Sequence, residues 1–169
     1  MSLNDWAVAS DRAIMFAGIV YAIAFVSHIV EWAISRNLRP ALVPASATGA
    51  EPADLPASDQ ELRAEKYGRI GVAMTVIAAL LHLGGLAARG LATDPVRVPW
   101  GNMYEFTLAG TFGVAVIYLV LMRRYDLRWL GMVVTGFLVV VLMLDASVLY
   151  KDAGPVTPAL HSYLSLIHI

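Results

Sequence analysis

Val98-Pro99-Trp100-Gly101-Asn102-Met103-Tyr104-Glu105-Phe106 packs an indole, an amide, a phenol and a carboxylate into the strip where one apolar segment gives way to the next. Polar and ionisable groups at such a boundary are costly unless they bind something, so they are the first candidates for chemistry. Glu105 also opens an apolar stretch, where its charge would favour a helix dipole, and capping and function are both open to it. His28 and His82 form a second group, because neutral imidazole is a common protein ligand for metal and for haem iron. Each lies inside an apolar segment, His28 with Glu31 one turn on and Trp32 beyond it. Two such histidines on separate helices invite a b-type haem between them. Measured from the segment midpoints their depths differ by roughly 9 Å at 1.5 Å per residue, which favours interhelical hydrogen bonding over one shared iron.

The elements that must hold these residues are membrane helices. The 169 residues are 59% hydrophobic with a mean hydropathy of +0.67, more than a water-soluble core of this size needs. A formal charge of -1 offers no basic field for nucleic acid, so the lipid bilayer is the expected environment. Ala13 to Ile34, Ile70 to Leu91, Phe106 to Met122 and Leu130 to Leu149 are apolar enough to cross about 30 Å of hydrocarbon, a span that takes roughly 20 helical residues. Lys151 to Ile169 begins polar and ends in apolar Leu160 to Ile169. The expected fold is therefore all-α, a polytopic transmembrane bundle of four crossings plus the start of a fifth. Its parts are an N-terminus and first helix (1–36), a flexible cytoplasmic linker (37–67), three helices with an outer loop at 92–105 (68–149), and a second outer loop entering the fifth helix (150–169).

Basic residues orient the chain, because cytoplasmic loops carry the excess of Lys and Arg. Arg36, Arg39, Arg63, Lys66, Arg69, Arg123, Arg124 and Arg128 fall on one side, and Arg12, Arg89, Arg97 and Lys151 on the other. That distribution puts the N-terminus and the loops 92–105 and 150–163 outside the cell membrane. Met1 to Asp11 lacks the basic start of a cleaved signal peptide. Pro40, Pro44, Pro52 and Pro56 mark the linker, and Ser58-Asp59-Gln60-Glu61 has the capping-box pattern of a helix start. Ala109 to Gly113, Gly84, Gly85, Gly131 and Gly136 are expected to let helices approach closely. Arg89 and Asp145 stand near helix ends and are expected to snorkel towards water. With no cysteine, the chain forms no disulfide and performs no thiol chemistry of its own.

The order Arg89, Pro99-Trp100-Gly101-Asn102-Met103-Tyr104-Glu105, two apolar crossings joined by a tight basic turn, then Pro158-Ala159-Leu160-His161-Ser162-Tyr163 and Ile167-His168-Ile169, resembles the CcsA/ResC family of cytochrome c biogenesis proteins. The likeness covers about Arg89 to Ile169, and Asn-x-Tyr-Glu is among its specific parts. It implies a haem-handling membrane subunit of a system II haem c synthetase. With a ResB-type membrane partner, such a subunit delivers haem to the outer face for attachment to the CxxCH thiols of apocytochrome c. By the same resemblance His168 is the external haem axial ligand, and Trp100, Asn102, Tyr104 and Glu105 shape the surface that meets haem or the partner. His161 stands where the family often has glutamine and takes no ligand role.

The family's tryptophan-rich segment is absent, so the chain looks like the front portion of a longer protein and is not expected to make cytochrome c alone. Leu164 to Ile169 also equals one reading frame of a common transposase sequencing adapter, leaving native and adapter origins both open for the hexapeptide. Two rival functions stand beside the first: a transmembrane haem b electron-transfer subunit using His28 and His82, and a non-catalytic scaffold joining helices through Ala109 and Gly113.

Overall fold

The computed structural model describes residues 2–38, 58–96 and 98–149. The proline-rich middle of the linker, the entry to a fifth helix, His161 and His168 lie outside the described residues. All-α architecture holds, with α1 (Leu3–Leu38), α2 (Asp59–Leu91), α3 (Met103–Met122) and α4 (Leu130–Leu144), the last continued by a π-helical turn at Asp145–Leu149. All four are long and apolar enough to cross a membrane, counting α4 with its π turn.

Helix ends extend beyond the apolar cores because capping starts them earlier. At the head of α1 the Ser2 N–H donates to Asp5 Oδ2 (2.7 Å) and the Asp5 N–H to Ser2 Oγ (3.2 Å), ten residues before Ala13. The capping box read at Ser58 is present at the head of α2: the Ser58 N–H donates to Glu61 Oε2 (2.6 Å) and the Glu61 N–H to Ser58 Oγ (3.3 Å). Helix therefore occupies both ends of the 37–67 segment, since α1 runs to Leu38 and α2 begins at Asp59.

Each helix buries one seam that advances by alternating steps of four and three residues. On α1 it runs Ser10, Ile14, Ala17, Tyr21, Ala24, His28. On α2 it runs Ala64, Gly68, Gly71, Thr75, Ala78, His82, Gly85, Arg89. On α3 it is Tyr104, Leu108, Thr111, Ala115, Tyr118, and on α4 Gly131, Thr135, Leu138, Leu142, continuing to Asp145 in the π turn. A mean step of about 3.5 residues is the period of left-handed bundles whose helices cross at about 20°. Helix α1 packs on α2 and α4, and α3 on α2 and α4, so the four close into a ring.

Register between α1 and α2 is constant. Ile14 meets Gly85, His28 meets Gly71 and Glu31 meets Gly68, so each advance along α1 is matched by an equal retreat along α2. Small residues on α2 receive larger ones on α1, which lets the backbones approach where lipid gives no hydrophobic drive for association. Seam threonines Thr75 and Thr135 donate to the carbonyls of Gly71 (2.8 Å) and Gly131 (2.6 Å) one turn back, so their hydroxyls are satisfied within their own helices.

The glycines divide. Gly85, Gly131 and Gly136 are packed against Ile14, His28 and Phe25, whereas a Cβ on Gly84 or Gly113 would meet nothing within 4 Å. The packing role expected of those two is not realised within the chain, because both lie off the buried seams. Opposite the seams, Met15, Ile19, Leu80, Ile117, Val140 and Met143 form an exposed apolar surface. Such a jacket, with the four long apolar helices, fits a membrane protein.

Candidate functional site

Polar residues on the seams collect into three layers, and the richest is at the Arg89 end. Arg89 occupies the last turn of α2 with its side chain fully buried. Its Nε lies 3.6 Å from Glu105 Oε1 and its Nη1 3.6 Å from Asp11 Oδ1. The guanidinium carbon stands 4.9 Å from the centroid of the Tyr104 ring, within cation–π range. One cation thus ties α1, α2 and the start of α3. Asp145 is fully buried at the head of the π turn, and its carboxylate oxygens accept no hydrogen bond from the described residues.

The strip singled out in the sequence is built into this layer. Asn102 caps α3, its Oδ1 accepting from the Glu105 N–H at 2.8 Å. Glu105 Oε2 accepts from the Gly101 N–H at 2.7 Å, so the same carboxylate that meets Arg89 also pins the incoming loop. Tyr104 is buried beneath Arg89, whereas Trp100 is 67% exposed and stands apart from the cluster. Asn102, Tyr104 and Glu105 are therefore brought together and Trp100 is not.

Arg89 and Asp145 correct the sequence reading. Residue exposures of 1% and 0% rule out snorkelling for both side chains. Both fall on the four-and-three seam of their helices, and that placement is the signal that sequence reasoning missed. Asp11 was not singled out either, though it lies on the turn of α1 that faces the end of α2.

His82 belongs to the middle layer. Its ring sits edge-on to Tyr21 (6.2 Å between centroids) and Phe112 (5.6 Å). The Leu108 backbone is its polar neighbour, without a hydrogen bond of ordinary geometry. His28 belongs to the far layer, where all four helices converge. Its Nδ1 lies 3.3 Å from Glu31 Oε2, and its ring fills the gap between Gly71 of α2 and Gly131 of α4, beside the Tyr118 hydroxyl. His28 stands at the level of Gly71, eleven residues below His82 on α2, a rise of about 16 Å at 1.5 Å per residue.

Haem can be tested against these positions. The His28 imidazole is wedged so tightly that a Cβ on Gly71 would fall 2.7 Å from its Cε1. His82 is fully buried among Tyr21, Phe112 and Leu108. Neither surrounding fits a macrocycle, and the layers are too far apart for one iron. A groove of about 630 Å³ between α1 and α4, lined by Asp11, Met15, Gly18, Tyr104 and Met143, has room for a large apolar ligand, but no imidazole among the described residues lines it. No group of three or more His, Cys, Asp or Glu among the described residues could hold a metal ion.

What the Arg89 layer can do is fix the α2–α3 corner rigidly and present a carboxylate and a phenol at the mouth of that groove. Comparison with protein-family models, with curated proteins and with solved structures found no match to this chain.

Proposed function

We propose that the chain is a haem-handling membrane subunit of a system II cytochrome c synthetase, its Arg89 end on the extracytoplasmic face of the cell membrane. The observation that carries the reading is the buried Arg89–Glu105 tie, which holds Asn102, Tyr104 and Glu105, the core of the family resemblance, as one fixed corner. Sidedness rests on the excess of Lys and Arg at the other end of the bundle. A cysteine-free chain suits a scheme in which the thiols that take up haem belong to apocytochrome c.

In this reading the described residues supply a platform, and the axial imidazole is His168, outside them. Asn102, Tyr104 and Glu105 orient the platform, with Trp100 exposed beside it for haem or the ResB-type partner. The protein's share of such chemistry is to bind and orient the cofactor.

The test is co-expression of the full-length gene with a ResB-type partner and a CxxCH apocytochrome, read by haem stain of the cytochrome band. Covalent haem should require this protein and should fall sharply with Glu105→Ala in complexes that still assemble. Haem attachment that proceeds equally well without the protein would overturn the proposal.

A further inference from the structure

At the opposite end, a pocket of about 310 Å³ opens between the last turns of α1 and the turn joining α3 to α4. It is lined by His28, Glu31, Trp32, Asp126, Arg128 and Trp129 among others. Trp32 and Trp129 are 45% and 67% exposed at the ends of their helices, the level at which indoles stand among lipid headgroups. Arg36 lies over the Trp32 ring at 5.3 Å and adds a second cation at the rim. Glu31 and Asp126 share the lining with Arg128, so charges of opposite sign face one cavity.

We propose that this pocket binds the headgroup of a zwitterionic phospholipid, with the phosphate on Arg128 and the ammonium between the indoles, against Glu31 or Asp126. Charge decides the ligand class. A purely anionic headgroup meets two carboxylates, and a purely cationic one meets Arg128 with Arg36 beside it. A phosphate joined to an ammonium a few bonds away satisfies both signs at once through charge-assisted hydrogen bonds, and an ammonium gains further from an indole face. Trp32 and Trp129 acting only as interfacial anchors would show no preference among headgroups, which separates that reading from this one.

The test uses the purified full chain in detergent. Trp6→Phe and Trp100→Phe leave Trp32 and Trp129 as the only fluorescent indoles. Dioctanoyl phosphatidylethanolamine, phosphatidylcholine and phosphatidylglycerol are titrated in turn. A saturable change is expected with a zwitterionic lipid, at least about tenfold tighter than with phosphatidylglycerol. Tighter binding of phosphatidylethanolamine than phosphatidylcholine assigns the ammonium to a carboxylate, and equal binding assigns it to the indoles.

Arg128→Gln should weaken zwitterionic binding about tenfold at unchanged helix content. Should that variant fail to fold, Trp129→Leu read through Trp32 serves in its place. Phosphatidylglycerol binding as tightly as either zwitterionic lipid, or affinity indifferent to these substitutions, overturns the proposal.

Discussion

Arg89 Nε and Glu105 Oε1 lie 3.6 Å apart, with neither side chain exposed, and they join the last turn of α2 to the first turn of α3 across the loop between them. The pair does more than neutralise charge. Through Glu105 Oε2 and the Gly101 N–H it reaches the loop backbone, and through Asp11 it reaches α1. Where desolvation is this complete, losing one partner costs more than never having had the pair, because the survivor is stranded without water.

Arg89→Ala should therefore lower stability by about 3–5 kcal/mol, as should Glu105→Ala, these being typical losses when one partner of a buried ion pair is removed. Arg89→Ala combined with Glu105→Ala should cost distinctly less than the sum of the two single changes, because no buried charge remains between them. Denaturant titration in detergent, followed by circular dichroism, measures the cycle. Strict additivity would show that the two residues do not act on one another.

Glycines that look alike in sequence should respond in opposite directions. Gly71→Ala places a Cβ 2.7 Å from the His28 imidazole and should destabilise by about 1–3 kcal/mol, the usual range for overpacking. Gly84→Ala meets nothing within 4 Å and should be neutral or stabilising by up to about 1 kcal/mol through helix propensity. Thermal unfolding of the two variants side by side checks the contrast. His28→Ala introduced with Gly71→Ala should relieve part of the loss.

The four crossings were legible because apolar length alone marks them, and the capping box at Ser58 was legible because two side chains three residues apart carry the whole signal. Burial was not. In a membrane segment nearly every residue is apolar, so hydropathy has little contrast between the seam and the lipid face. Only the polar seam residues break the uniformity. Arg89 and Asp145 could have been placed by counting steps of four and three from His82 and from Leu138. Judged by distance from the helix end instead, both read as interfacial. Glu105 was correctly suspected of tending the start of α3, yet its partner on α2 lies sixteen positions away in sequence and no local pattern points to it. The groove between α1 and α4 depends on how two distant helices pack, which is likewise invisible to a window of sequence.

Ser58→Ala should cost about 1 kcal/mol, the usual worth of a side-chain N-cap, and the loss should be local. Asp59 to Arg63 form the exposed first turn of α2, upstream of the first glycine that packs on α1. Amide hydrogen exchange should accelerate in that turn while protection around Thr75 to Ala79 is unchanged. Acceleration spreading to the middle of α2 would mean that the cap supports the bundle itself.

His28 and His82 should prove structural. The His28 ring fills the gap between Gly71 and Gly131, so His28→Ala opens a void where four helices meet, whereas His82→Ala removes the ring packed between Tyr21 and Phe112. Each should lower the melting temperature of the purified protein. Neither should alter the position or intensity of a haem absorption band measured on the protein with its partner, since layers about 16 Å apart, at 1.5 Å per residue along α2, cannot share an iron. A low-spin bis-imidazole spectrum that vanishes in either variant and survives His168→Ala would instead establish a haem inside the bundle, and with it an electron-transfer role.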